Sequence, residues 1–169
     1  MTNPVNDFGK ENKSYITDED LRNLLSTHFR GIQRLVRLIH FNDAHPENYN
    51  IRPGTHSNII EILENGKFIE MNKEYVLDTV IIDAWSRIVE YFNKLEEDDE
   101  LDDFRESLIS KETDERLFQF VATYKKLCQG EPNITCKEIH EDVMDMIKFQ
   151  YHRIFDKNKK KVHNDKIKT

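Results

Sequence analysis

One segment, residues 39–71, interrupts a chain whose other parts follow a helical pattern; it reads IHFNDAHPENYNIRPGTHSNIIEILENGKFIEM. Its first half carries four short polar side chains of the kind that bond to backbone groups in turns: Asn42, Asp43, Asn48 and Asn50. Pro46 disfavours helical geometry at His45, so the preceding helix must end near Phe41. The chain therefore leaves its helical pattern here for a turn-rich insert.

The second half of this segment predicts a β-hairpin. Asn65 and Gly66 stand between two apolar-rich runs within residues 58–71. Asn-Gly is the strongest short hairpin signal, because both turn positions need a positive φ. We expect the residues around Asn48 to hold this hairpin against the helices. In this prediction Asn42 and Asn48 bond to the backbone, while Tyr49 and Ile51 enter the core.

Apolar residues at spacings of three and four predict helices on both sides of the insert. The first begins at a Thr17 cap and runs to Ile39, the second covers residues 73–95 and the third covers 112–127. A short helix at 104–109 is the fifth in the larger of the two predicted counts. The fourth opens at Thr135, which begins a capping box. The predicted class is α+β, mostly α, with four or five helices and one β-hairpin inserted between helices one and two.

The length of 169 residues suits one domain that folds without a metal, a cofactor or a disulfide. We expect a flexible N-terminal arm at residues 1–15, a globular domain at 16–156 and a basic, disordered tail at 157–169. The two cysteines, Cys128 and Cys136, are most simply free thiols in a reducing compartment. A disulfide between them stays the alternative.

Charge and hydropathy limit the partners. The chain carries a net charge of -7. Residues 96–103 form an acidic cluster, which we interpret as a loop or a frayed helix end. The alternative is a docking site for a basic partner. Four arginines on the first helix are interpreted as a solvated face: Arg22, Arg30, Arg34 and Arg37. No apolar run has the roughly twenty residues of a membrane span, and the N-terminus lacks a leader pattern. We expect no membrane partner and a cytosol-like setting.

Candidate chemistry is sparse. His40, His45 and His56 lie in the insert, yet their spacing matches no metal-ligand pattern, and neither does the set of Cys128, Cys136 and His140. We therefore assign no metal. A nuclease would use His45 or His40 as a base with Glu47, or Glu61 and Glu70 as a metal-binding pair. Surface groups and local caps explain these residues more simply, so we assign no catalytic residue and predict a non-enzymatic protein.

The insert also resembles a known family through seven residues: Phe41, Asn42, Pro46, Glu47, Asn48, Asn50 and Ile51. With LVRLIHFNDAHPENYNI followed by a hairpin, residues 35–88 are similar to a small domain of large double-stranded DNA viruses of protists. That domain commonly lies C-terminal to DNA-binding or zinc-finger modules. This chain lacks the preceding zinc-finger cysteine pair, and Arg-Pro-Gly after Ile51 is not expected to form an extended strand. The resemblance implies a viral origin but no activity.

These observations favour a viral interaction or assembly protein that acts through helical protein–protein contacts with a viral or host protein or with itself. Its expected location is the host cytoplasm, the viral replication compartment or the virion. The last helix presents apolar residues beyond its core stripe, and three aromatic ones are predicted to contact a partner: Phe149, Tyr151 and Phe155. The alternative is a nucleic-acid-associated factor using Arg30, Arg34 and Arg37 together with the tail lysines Lys157, Lys159, Lys160, Lys161, Lys166 and Lys168.

Overall fold

The structure, a computed structural model, describes residues 4–108, 110–130 and 134–167, with the backbone alone at 134–136 and 157–167. The helices in these ranges are α1 (Asp18–Ser26), α2 (Phe29–His40), α3 (Lys73–Glu97), α4 (Leu101–Ser107), α5 (Lys111–Cys128) and α6 (Ile134–Ile167). The strands are β1 (Ile51–Pro53), β2 (Ile59–Glu64) and β3 (Lys67–Asn72). The predicted class, α+β and mostly helical, is confirmed. The helix count and the place of the hairpin differ, since the sheet lies between α2 and α3.

The predicted first helix is two helices. The break falls at His28, whose φ of 53° no helical residue adopts. The two helices pack so closely that a Cβ added to Gly31 would lie 2.4 Å from the carbonyl oxygen of Leu24. Both helices turn apolar residues toward the same core, so the apolar stripe continues through the break and conceals it. The Thr17 cap of α1 is confirmed, with Asp20 completing a capping box.

The sheet contains one strand more than the predicted hairpin. β2 and β3 pair as expected, with Asn65 and Gly66 both at positive φ in the turn. The expectation that Arg-Pro-Gly is not extended was wrong, because β1 pairs antiparallel with β2 and places Arg52 opposite Glu61. A proline is tolerated at the end of such an edge strand, where its missing N–H breaks no ladder bond.

The core is built around α3, which was predicted as the second helix at residues 73–95. Trp85 is fully buried, and its ring lies 5.7 Å from that of Phe29 and 5.5 Å from that of Phe120. The three aromatic side chains thus join α2, α3 and α5. Burying large aromatic surfaces is among the strongest contributions to stability.

The acidic cluster lies where α3 gives way to α4. α3 ends at Glu97, and α4 begins at Leu101, earlier than the predicted helix at 104–109. Between them the chain turns through Asp99, whose φ is 59°. We call the exposed carboxylate-bearing residues 96–100, 102 and 103 the acidic turn.

The last two helices begin close to their predicted starts. α5 starts one residue before the predicted range, with the Ser110 side chain accepting from the Thr113 N–H, and ends before Gly130, which has a φ of 80°. α6 begins at Ile134, so Thr135 lies inside the helix, and its predicted capping side chain is outside the described side chains. The α6 backbone continues through most of the predicted tail, while the predicted lysine contacts fall on side chains outside the described set.

Candidate functional site

Asn48, from the centre of the insert, is fully buried, and both its side-chain oxygen and its side-chain nitrogen are hydrogen bonded. Its Oδ1 accepts from the backbone N–H of Asn12 at 2.9 Å and from Asn6 Nδ2 at 3.2 Å. Its Nδ2 donates to the carbonyl oxygen of Asn12 at 2.7 Å. The prediction that Asn48 bonds to backbone is therefore confirmed, and its partner is the N-terminal segment.

Asn50 makes a second buried junction. Its Nδ2 donates to the carbonyl oxygen of Asn6 at 3.1 Å and to Glu11 Oε1 at 2.9 Å. With both amide hydrogens used, its Oδ1 accepts from His40 Nδ1 at 2.9 Å. Burial lowers the pKa of His40, although the nearby Glu11 carboxylate opposes that shift. We call Asn48, Asn50, His40, Asn12 and Glu11 the polar interlock.

The N-terminal segment completes this arrangement along the sheet. The backbone N–H of Asn6 donates to the Glu47 carbonyl at 2.7 Å, and that of Phe8 donates to the Leu63 carbonyl at 2.8 Å. The Asp7 carboxylate accepts the N–H groups of Asn65 and Gly66 in the hairpin turn. The structure thus holds residues 6–12 against the insert. The expected flexibility of residues 1–15 stays a prediction, which hydrogen exchange at these amides tests.

The other residues of the family-like motif have local structural roles. Phe41 and Ile51 are buried in the core, and the Asn42 Oδ1 accepts the Ala44 N–H at 3.0 Å. Pro46 opens a 3₁₀ turn, Pro46–Asn48. Tyr49 was wrongly predicted to enter the core: it is half-buried, because its hydroxyl group donates to Asp43 at 2.9 Å at the surface.

His45 and Glu47 are in contact, as the nuclease hypothesis requires, but both side chains are also engaged by residues of the N-terminal segment. His45 Nδ1 lies 3.0 Å from Glu47 Oε1, and this hydrogen bond lowers the pKa of Glu47. The ring of Tyr15 stacks on that of His45 with centroids 3.6 Å apart. Asn12 Nδ2 also donates to Glu47. The pair therefore serves as one more link between the N-terminal segment and the insert.

The possible metal ligands are dispersed in the structure. His40 is buried in the interlock, His45 bonds to Glu47, and His56 is exposed between β1 and β2. Nowhere in the described residues do three histidine, cysteine, aspartate or glutamate side chains form a group able to hold a metal ion.

The other residues considered as metal ligands are also separated from one another or already paired. Cys128 is an exposed free thiol, His140 Nε2 bonds to Asp78 at 2.6 Å, and the side chain of Cys136 lies outside the described ones. Glu61 and Glu70 do face each other across β2 and β3, yet Glu61 is paired with Arg52 at 2.8 Å.

The aromatic side chains predicted to contact a partner lie on α6 outside its buried stripe, with Phe149 on one flank of the exposed surface and Tyr151 and Phe155 on the other flank. Phe149 is 67% exposed, and Phe155 is 42% exposed. Tyr151 stacks on Phe155, with ring centroids 5.9 Å apart and planes 13° apart. We call these three residues the aromatic face. The inner side of the same helix is buried through Val143, Ile147 and Gln150.

Arg153 is a site residue that sequence reasoning missed. It forms a forked pair with Asp43, at 2.9 Å and 3.0 Å, and its Nη2 lies 3.4 Å from the Phe41 carbonyl oxygen. It thereby ties α6 to the start of the insert. The available signal was an arginine placed between Gln150 and Ile154, within the apolar stripe of α6. That placement predicts a buried or paired guanidinium.

Comparison of the chain with protein-family models, with curated proteins and with solved structures finds no match in any of the three. The resemblance to the viral domain therefore stays a prediction. Of the helices in the described residues, none has the length and apolar composition needed to cross a membrane.

Proposed function

We propose that the protein is a non-enzymatic interaction or assembly protein that uses the aromatic face of α6 as its contact surface. The observation that carries the proposal is the exposure of Phe149 and Phe155 on a helix whose opposite side is anchored in the core. The viral setting, in a host cytoplasm or replication compartment, is part of this proposal and rests on the family resemblance.

Aromatic residues with this exposure favour a protein partner. Phe, Tyr and Trp are enriched in the buried centres of protein interfaces, where they provide much of the contact area. The exposed residues Lys148 and His152 lie on the helix surface between Phe149 and the Tyr151–Phe155 pair. Because Arg153 fixes this part of α6 to Asp43, the face is presented on a supported helix.

A second copy of the chain is the partner that we test first. Two identical aromatic faces are self-complementary across a two-fold axis, the commonest symmetry of homo-oligomers. The test is the light-scattering mass of the full chain over a range of concentrations. We expect the mass to rise from that of the 20.2 kDa monomer toward a dimer.

The variant Phe149→Ser removes the most exposed ring and should weaken this association about tenfold or more, as an interface hot spot does. The matched control is Tyr75→Ser, which removes a 56% exposed aromatic ring from α3. A monomer at every concentration, or equal weakening by both variants, contradicts pairing through the aromatic face.

Nucleic-acid binding is the second candidate, favoured by the exposure of Arg30, Arg34 and Arg37 on α2. The tail lysines are the other half of this hypothesis. Replacing Lys157, Lys159, Lys160 and Lys161 by glutamine should lower both the affinity for a short DNA duplex and its salt dependence, because fewer counterions are released. Fluorescence anisotropy measures both quantities. Unchanged affinity and salt dependence reject a role for the tail.

A further inference from the structure

A groove of about 600 Å³ opens between α1, α2 and the start of the insert. Six of its lining residues decide its character, three cationic and three apolar: Arg34, Arg37, Arg153, Leu24, Leu38 and Phe41. Two carboxylates, Asp20 and Asp43, also line it. We call this feature the arginine groove.

The two carboxylates of the groove have hydrogen-bond partners, whereas two of its arginines form no ion pair among the described residues. Asp43 is engaged by Arg153 and by the Tyr49 hydroxyl group, and Asp20 accepts the Thr17 N–H in the cap of α1. Arg34 and Arg37 lie three residues apart on α2 and are exposed, and neither forms an ion pair within the described part of the chain. Two guanidinium groups therefore remain available on one side of the groove.

The shape and charge of the groove select a particular anion. Guanidinium groups bind carboxylates through two parallel hydrogen bonds. Because Asp20 and Asp43 interrupt the positive charge of the lining, the groove offers a partner only the two neighbouring guanidinium groups of Arg34 and Arg37. The groove thus suits a short protein segment that carries a few carboxylates.

The chain itself presents such a segment. The acidic turn contains seven exposed carboxylates, and most of them have no cationic neighbour in the described residues. Its backbone is fixed by hydrogen bonds from the Asp99 N–H to Glu96 and from the Glu100 N–H to Leu95. A turn held in one conformation loses little conformational entropy on binding.

We propose that the acidic turn of one copy docks in the arginine groove of a second copy, with Arg34 and Arg37 binding its carboxylates. This inference rests on the proposed assembly function and deepens it. The two surfaces consist of different residues, so the contact is heterologous and leaves one free groove and one free turn on each pair. Such a contact extends into open chains unless its rotation closes a ring.

Two sets of variants of the full chain test the contact from its two sides. The groove variant is Arg34→Glu with Arg37→Glu, and its control is Arg30→Glu, a charge reversal at an exposed position of α2 outside the groove lining. The turn variant is Asp98→Asn, Asp99→Asn and Glu100→Gln. Asparagine tolerates the positive φ at position 99, so the turn is kept. Its control is Glu138→Gln, Glu141→Gln and Asp142→Asn on the exposed side of α6.

Sedimentation velocity at low salt is the measurement. We expect species larger than a dimer for the wild-type chain and for both controls, and loss of those species in the groove and turn variants. Raising the salt concentration to about 0.5 M should also remove them, because exposed charge pairs are then screened.

An equimolar mixture of the two variants is decisive. The groove variant retains its turn and the turn variant retains its groove, so when both also carry Phe149→Ser, which removes the aromatic-face contact, the mixture should recover one contact and no further growth. Absence of large species in the wild-type chain overturns the proposal. Loss of large species in the controls, or a mixture that recovers nothing while each variant keeps the wild-type circular dichroism, also overturns it.

The outcome is separable from that of the aromatic face. Phe149→Ser should remove a salt-insensitive dimer and leave the salt-sensitive contact, whereas the groove variant should do the reverse. The two contacts can therefore be tested independently, and failure of one does not decide the other.

Discussion

The polar interlock and the aromatic face invert the usual relation between polarity and burial. Asn48 and Asn50 are fully buried, and the phenylalanine ring of Phe149 is 67% exposed. The buried amides have partners for their hydrogen-bonding groups, whereas the exposed ring has only solvent to cover most of its surface. A buried polar group is tolerated when it is satisfied, and an exposed aromatic group is useful when it meets a partner. We therefore regard the first region as specifying the fold and the second as available for binding.

The largest expected effect on stability follows from Asn50→Leu. The change removes the acceptor of His40 Nδ1 and a donor to Glu11, and each buried group left without a partner costs about 1 to 3 kcal/mol. We expect the free energy of unfolding in urea to fall by about 2 to 4 kcal/mol.

The control is Asn58→Leu at an exposed position, which should change the free energy of unfolding by less than about 0.5 kcal/mol. Equal effects of the two substitutions would show that the interlock contributes nothing specific.

The next effect is a pH dependence. Burial lowers the pKa of His40 in the folded state, so between the folded pKa and the unfolded value of about 6.5 the unfolded chain binds more protons. The free energy of unfolding should therefore be largest above pH 7 and should fall as the pH decreases through about 6.5. His28, whose pKa burial also lowers, contributes in the same direction.

The variant His40→Asn isolates this contribution. Asparagine places an amide nitrogen near the position of Nδ1 and keeps the donor to Asn50 without a titrating group. Urea unfolding at a series of pH values should show a shallower slope than in the wild-type chain. An unchanged slope would remove His40 from the explanation.

A smaller effect is expected from Asp7→Ala, which releases the N-terminal segment from the hairpin turn. The lost bonds to Asn65 and Gly66 are exposed, and their removal should cost about 0.5 to 1 kcal/mol. Hydrogen exchange should show protected amides at Phe8 and Asn12 in the wild-type chain and faster exchange in the variant.

Glu64→Ala, beside the same turn but exposed, is the control for Asp7→Ala. Rapid exchange at both amides in the wild-type chain would favour the flexible arm predicted from the sequence.

The smallest effect on folding should come from Phe149→Ser, although it should weaken association most. An exposed side chain has little native contact to lose, so the free energy of unfolding of the monomer should change by less than about 0.5 kcal/mol. Urea unfolding at low protein concentration measures this change. A loss above about 2 kcal/mol would place the ring in the core and remove the contrast with Asn50.

The sequence predicts those parts of the fold that have a local signal. α3 is recognisable because its apolar residues recur over 25 residues, and the hairpin because Asn65 and Gly66 favour one turn type. The break at His28 lacks such a signal, since the stripe runs through it. β1 has three residues and ends in Pro53, too short a pattern to identify a strand.

The candidate site is less predictable because the residues that form it are far apart in the sequence. In the sequence, Asn48 has the pattern of a turn residue. Its bond to Asn12, 36 positions away, appears only in the structure. The arginine groove likewise requires α1, α2 and Arg153 to come together. Phe149, Tyr151 and Phe155 are the exception, because an excess of apolar residues on one helix is visible in the sequence alone.

The fork between Arg153 and Asp43 has a consequence for the order of folding. The two residues are 110 positions apart, so the contact closes a loop that includes most of the molecule. Contacts of such separation incur a large loop-closure entropy and form slowly compared with a hairpin or a helix. We therefore expect α6 to dock in a late step, after the sheet and α3 have assembled, and Arg153→Ala to accelerate unfolding more than it slows folding.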